Sequence, residues 1–275
     1  GPNGAGKTTL IKVLLGLVRI SAGRGMVLGC SIGRSARSIR QQVGYMPEDD
    51  CYIAALSAVE TVQLGARLSG LPGREALRRA HEILDFCGLK EERYRQAATY
   101  SLGMRQKLKF ALAIVHDPRL VILDEPTSGL DPIEREEMLS RIQVLARKFG
   151  KAVLLSTHIL PDVQAICDEV VILARGRVRM AESLESLNRP AEPAYWIQTV
   201  GPAAPLADWA RTQGLPVQLD NERRLQLATD DPLLLQRLWQ GAEQTGSAIR
   251  SVQPAKNSLE AIFLEALEES THAYP

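Results

Sequence analysis

The sequence predicts an α/β fold: a mainly parallel sheet with a helical subdomain, followed by a small α+β domain. Three observations predict it. Strand-like and helix-like segments alternate over most of the chain. Two short apolar runs, Leu120–Leu123 and Ala152–Ser156, are too short for helices and read as buried strands, the first bounded by Pro118 and Asp124. The chain opens on Gly1-Pro-Asn-Gly-Ala-Gly-Lys-Thr8, and the pattern Gly-x4-Gly-Lys-Thr is a complete phosphate-binding loop.

Thr8–Val18 reads as a helix closed by the glycine-rich Ser21–Gly25 stretch, and Gly25–Cys30 and Gln42–Met46 read as short strands. Residues 49–116 form the helical subdomain. It holds Leu56–Leu68, then Arg74–Cys87 with Leu77, Ala80, Ile83, Leu84 and Cys87 on one face, and a helix from Ser101 to Val115. Residues His116-Asp117-Pro118 end that last helix. Pro132–Phe149 is a helix with proline at its start. Pro161–Cys167 is a short helix, and strands Glu169–Leu173 and Arg177–Met180 flank the turn Ala174-Arg175-Gly176.

Composition shifts near Asn188–Pro193, which places a first domain at 1–188 and a second at 192–275. The second reads as β-α-β-β-α-β from Tyr195–Val200, Leu206–Thr212, Val217–Leu219, Arg224–Ala228, Pro232–Gln244 and Ile249–Gln253, with a closing helix Ser258–Leu267. That order suits a ferredoxin-like module. It carries no metal spacing and no nucleophile with a base, so an interaction or regulatory role is expected.

The 275 residues suffice for one large domain and a small one, and 45% of them are hydrophobic. A net charge of +1 gives no general pull toward nucleic acid or anionic membrane. Cys30, Cys51, Cys87 and Cys167 are scattered and read as free thiols of a reducing compartment. No apolar run approaches the length that spans a bilayer.

The phosphate loop sets the chemistry. Gly4 and Gly6 let the backbone curl into a nest of N–H donors. Lys7 reaches the β- and γ-phosphates, and the Thr8 hydroxyl ligates Mg²⁺. The following helix points its positive end at the same phosphates. The strand that feeds the loop is expected upstream of residue 1.

Leu120–Leu123 runs into Asp124 and Glu125. A strand holds such acids rigidly at its C-terminal end, where α/β ligand sites form. Asp124 is suited to hold Mg²⁺ and Glu125 to orient and deprotonate a water. Alone, a strand ending in Asp-Glu is as readily a helix cap; after a phosphate loop, and before Pro126–Asp131, the functional reading is favoured. His158, after Leu155-Ser-Thr157, sits where a γ-phosphate should lie, although a lone histidine there is often structural. His81, His116 and His272 read as surface or cap residues. Ser101, at the start of Ser-Leu-Gly-Met-Arg-Gln106, with the free N–H groups of that turn, makes a second anion site. The helical insert should hold it well away from Lys7, so it would meet a phosphate on another copy.

The segments GPNGAGKTT, VGYMPED, YSLGMRQKL, LVILDEPTSGLD and LLSTH, in this order, resemble the nucleotide-binding subunit of the ATP-binding-cassette (ABC) transporter family, a P-loop NTPase cassette. The resemblance covers residues 1 to about 180. It implies that ATP is bound by Gly1, Asn3, Gly4, Ala5, Gly6, Lys7, Thr8 and Thr9 (Walker A), with Mg²⁺ held by Thr8, Glu48 and Asp124. It makes Glu125 and His158 catalytic. It assigns Ser101, Gly103 and Met104 to the signature motif, acting in trans in a head-to-tail dimer, and Asp131 to the D-loop. The family's Q-loop glutamine is Glu48 here, and the signature reads Ser-Leu-Gly-Met instead of Ser-Gly-Gly-Gln. Both variants look like the branch of drug and sodium extrusion ATPases, as does Asn257–Leu264 at the end of the second domain.

The expected function is therefore an ATPase subunit that powers export through a separate transmembrane permease by ATP-driven dimer closure. Membrane contact would be made only through the permease, on the cytoplasmic face. A ribosome- or DNA-acting ABC ATPase is the alternative. It fits less well: one cassette is present, no coiled-coil insertion separates Lys7 from Ser101, and no basic patch with interleaved aromatics appears. No nucleic-acid partner is expected. A small-molecule kinase would leave YSLGMRQ and His158 without a task.

Overall fold

The computed structural model describes residues 1–189, 194–221, 223–228, 233–255 and 259–268. Two compact units divide the chain: Gly1–Cys167 with Ile172–Arg179, and Asp168–Val171 with the residues from Met180 on.

In the first unit α1 is Lys7–Leu14, β1 Met26–Val27, β2 Cys30–Ser31, α2 Ala36–Gln42 and β3 Val43–Met46. Then come α3 Ala58–Leu68, α4 Gly73–Phe86, α5 Leu102–Ile114, β4 Leu120–Asp124, α6 Pro132–Arg147, β5 Ala152–Ser156 and α7 Leu160–Ile166. Strands β6 (Glu169–Ala174) and β7 (Arg177–Ser183) pair as a two-stranded sheet whose turn end belongs to the first unit. The central sheet runs β3-β4-β5, all parallel, with Gly44 opposite Val121 and Asp124 opposite Ser156.

Strand β4 is apolar up to its last residue, Asp124, because it is covered on both faces. Val121 and Leu123 join the helical-subdomain core of Val62, Leu84, Leu108 and Phe110. Ile122 joins Ile11, Ile39 and Val43 on the other face. Burying each such side chain is worth about 1.5–3 kcal/mol, so the strand that ends in Asp124 is firmly held.

Several expectations are corrected. Strand β5 is not buried: it is an edge of the three-stranded sheet, and Leu154 is 41% exposed. The strand read over Gly25–Cys30 is instead a hairpin of β1 and β2, because Leu28 and Gly29 both take positive φ (48° and 78°) and reverse the chain. Helix α1 stops at Leu14 rather than running to Val18, and Gly16 turns the chain at φ 66°. Ala76, not Leu77, lies on the buried face of α4; Leu77 is 40% exposed. Helix α2 was not anticipated, since its sequence is short and rich in arginine and glutamine. His116 is not a plain surface residue: its Nε2 is buried, and burial lowers its pKa. Cys30, Cys51, Cys87 and Cys167 are not joined in disulfides.

In the second unit α8 is Leu184–Asn188, β8 Ala194–Thr199, α9 Ala204–Thr212, β9 Val217–Asn221, β10 Arg224–Ala228, α10 Leu234–Thr245, β11 Ile249–Pro254 and α11 Leu259–Glu268. The sheet order β11-β8-β10-β9 is antiparallel at every step. Both features match a β-α-β-β-α-β module with its two crossover helices. Its core contains Ile197, Leu206, Leu225, Leu227 and Leu238. The expected boundary residues Pro190–Pro193, the expected helix starts Pro232 and Ser258, as well as Asn257 and His272, lie outside the described residues.

Candidate functional site

Helix α1 begins at Gly6, which caps it at φ 98°, a left-handed conformation that a side chain would strain. Gly4 is left-handed too, at φ 75°. No side chain caps the α1 N-terminus, so its first N–H groups are left for an outside acceptor. The loop is fastened behind: the Gly176 amide donates to Ala5 O at 2.9 Å, and Ala5 N donates to Pro2 O at 3.2 Å.

Lys7 Nζ donates to Gly1 O at 2.8 Å and to Pro2 O at 3.1 Å, and stands 3.7 Å from Glu125 Oε1. Thr8 Oγ1 donates to Asp124 Oδ2 at 2.7 Å. Asp124 is fully buried at the end of β4. Glu125 follows with a positive φ of 51°, and its amide donates to Ser156 O at 2.8 Å on β5. The Glu125 carboxylate lies between Lys7 and His158. His158 Nδ1 lies 3.0 Å from Glu125 Oε2.

Asn3, Gly4, Ala5, Gly6, Lys7, Thr8, Thr9, Glu48, Asp124 and Glu125 line one cavity of about 340 Å³. Two acceptors of this site, Asp124 Oδ1 and Glu125 Oε1, are buried without a hydrogen-bond partner. Such orphans are costly unless a ligand donor or cation satisfies them. Among the described residues, no three His, Cys, Asp or Glu side chains gather as a metal cage. The oxygens of Thr8, Asp124 and Glu48 instead make a sparse, hard donor set.

The structure thus brings together the expected loop residues, Glu48, Asp124, Glu125 and His158. Gly1 takes part through its carbonyl. Ser101, Gly103, Met104 and Asp131 do not line this cavity. Ser101 caps α5, its Oγ accepting from Met104 N at 3.2 Å, and its own side chain is exposed. A Cβ on Gly103 would meet the Glu134 carboxylate at 2.0 Å, so the start of α5 packs closely on α6. Asp131 caps α6, its Oδ1 accepting from Glu134 N at 2.8 Å.

Sequence reasoning missed two groups. Asp162, fully buried on α7, accepts from Thr127 Oγ1 at 2.5 Å and from Arg135 Nε at 2.6 Å. It ties the segment after Glu125 to α6 and α7. Nothing in the sequence separates it from an ordinary first-turn acid behind Pro161. Lys109, one lysine among several basic residues around α5, is buried beside the Glu48 segment.

Residues 1–128 match the family described as ABC transporter. A Bacillus subtilis protein, the uncharacterized ABC transporter ATP-binding protein YhcH, is 32% identical over 276 residues, covering 98% of this chain and 86% of that protein. The chain belongs to the ABC transporter family. An uncharacterized ABC transporter ATP-binding protein of Nostoc is 42% identical over 189 residues, 68% of this chain and 56% of that one. The chain spans only about half the length of such curated relatives, 56% and 52% in two of them. The bacitracin transport ATP-binding protein BcrA of Bacillus licheniformis is 36% identical over 178 residues, 65% of this ABC chain and 57% of BcrA. A solved ATP-binding subunit of an ABC transporter superposes with a TM-score of 0.60 at 35% identity, covering 68% of this chain and 78% of that one.

Proposed function

We propose that this chain binds ATP and hydrolyses it as the nucleotide-binding subunit of an exporting ABC transporter. One observation carries the reading: a single cavity joins the phosphate loop, the Thr8–Asp124 pair and Glu125, whose carboxylate is in turn met by His158. The loop amides and Lys7 bind the β- and γ-phosphates. Asn3, Ala5 and Thr9 complete the cradle. Glu125 takes the proton of the attacking water, and His158 orients Glu125 and reaches toward the γ-phosphate. Mg²⁺, when bound, neutralises triphosphate charge; Thr8, Asp124 and Glu48 would hold it. The buried, unpartnered Asp124 Oδ1 fits that ion.

Ser101, Gly103 and Met104 are assigned to the phosphate of a second copy in a head-to-tail dimer, with Asp131 at the contact between copies. Their place outside the Lys7 cavity supports this assignment. ATP then favours the closed dimer, and hydrolysis removes that bias. The power stroke passes through the 49–116 helices to a transmembrane permease, with the subunit on the cytoplasmic face. No helix of the described residues is long and apolar enough to cross a membrane, which suits contact through the permease alone. The relative named for bacitracin transport supports a drug-export branch. No comparison supports the ribosome or DNA reading. Residues 192–275 are assigned to an accessory, regulatory module.

The test is the dependence of ATP turnover on protein concentration in the full-length subunit. Specific activity should rise as dimers form. Full turnover by a strict monomer at all concentrations would overturn the two-copy reading.

A further inference from the structure

Helix α5 carries a lysine at a core position. Lys109 is 2% exposed, among Leu108, Phe110 and Ala111 of the same buried stretch. Its Nζ donates to Pro47 O at 3.1 Å and to Glu48 O at 2.6 Å. Strand β3 ends its ladder at Met46, so neither carbonyl is used by the sheet. The segment it grips is acidic: Glu48, Asp49 and Asp50 all act on its charge, as does Cys51. Glu48 in turn lines the cavity that holds Lys7 and Asp124.

Burying an ammonium is expensive unless acceptors and counter-charges surround it. An apolar side chain would fill the space at less cost but would leave two carbonyls ungripped and take a cation away from three adjacent acids. The position therefore does something packing alone does not require.

We propose that Lys109 is a positioning residue for ATP hydrolysis: it clamps the Pro47–Glu48 backbone onto α5 and so fixes Glu48 at the wall of the nucleotide cavity. The proposal rests on the nucleotide reading of that cavity. It also deepens it. Helix α5 is the helix that begins behind Ser101, so one rigid element carries both the outer anion-binding turn and the clamp on Glu48. A shift of α5 moves Glu48 with it. Burial lowers the pKa of Lys109 while the neighbouring carboxylates oppose that change, consistent with a cation held by the acceptors and acids of the 47–51 segment.

The experiment uses the full-length subunit with ATP and Mg²⁺. Lys109→Met keeps the volume of the side chain and removes its donors. It should lower kcat at least tenfold with KM changed less than threefold. Hydrogen exchange should show faster amide exchange over residues 47–52. In a Glu48→Ala background, Lys109→Met should change kcat less than twofold, because the clamp then has no carboxylate to aim. Parental kcat in Lys109→Met would overturn the proposal, and so would a tenfold loss that persists in full without Glu48. Should Lys109→Met not fold, Glu48→Ala alone decides: parental kcat in that variant removes the reason for a clamp. A parent with no ATP turnover would sink the nucleotide reading itself, an outcome distinct from an active parent with an unimpaired Lys109 variant.

Discussion

Two helix N-termini of the first unit are suited to anions, and they are completed in different ways. At α1 no side chain caps the helix, the preceding loop is held in left-handed conformations, and a cavity with a lysine and three carboxylates encloses the space in front. At α5 Ser101 spends its hydroxyl oxygen on the Met104 amide, and no residue of that turn lines the cavity. The first site has charge, walls and a proton acceptor from one chain. The second has a helix dipole, a hydroxyl and little else. A site of the second kind becomes useful when another molecule brings the phosphate to it, whereas the first can select a phosphate chain unaided.

Substitutions can break this comparison. The largest effect is expected at Glu125. Glu125→Gln removes the proton acceptor, leaves the shape, and should lower ATP turnover about 10³-fold, with nucleotide binding retained and dimers accumulating in gel filtration. Turnover at the parent rate would remove Glu125 from the chemistry. Lys7→Ala should next weaken ATP binding by about 3 kcal/mol, roughly a hundredfold, read by titration calorimetry; unchanged affinity would contradict the role given to the loop. Asp162→Asn tests what keeps the first site rigid. It weakens the ties to Thr127 and Arg135 and should cost about 2 kcal/mol of folding stability in denaturant titrations. A change under half that size would mean the segment after Glu125 is held by packing instead.

Ser101→Ala sharpens the contrast from the other side. It should lower turnover about tenfold while leaving ATP affinity of the monomer unchanged, because in the proposed dimer the hydroxyl acts on a phosphate bound by the other copy; the loss of one charge-assisted hydrogen bond is of that order. A matching loss of monomer affinity would place Ser101 in the Lys7 site after all. Glu48→Gln should have the smallest effect, about threefold or less on turnover, since the amide keeps an oxygen in place and gives up only the charge.

Much of the first site was legible in the chain because its parts are local. Lys7 and Thr8 stand at fixed spacing behind Gly4 and Gly6, and four apolar residues running into Asp124-Glu125 announce a strand that delivers acids. The burial of β4 on both faces bears out that part. The parallel reading of Ala152–Ser156 was right in direction and wrong in burial: an apolar run shows that a strand wants cover, not that both faces receive it. Helix α4 shows the same limit on a finer scale. The apolar period was clear, yet Ala76 took the buried place that Leu77 was expected to fill, since a small residue fits where helices approach closely. Asp162 and Lys109 were invisible because their partners are Thr127 and Arg135, and Pro47 and Glu48, all distant in sequence.

By itself the sequence marked the residues proposed for phosphate and proton chemistry, the alternation of strands and helices over most of the chain, and the order β-α-β-β-α-β in the second unit. Those features depend on backbone preference and spacing, which operate within a few residues of one another. Only the tertiary structure decided that Thr8 reaches Asp124, that the Glu125 carboxylate lies between Lys7 and His158, and that a buried lysine on α5 holds the segment of Glu48. Each depends on groups far apart along the chain meeting at distances of 2.6 to 3.7 Å, and such meetings are set by how the sheet and helices pack, a property no local pattern encodes.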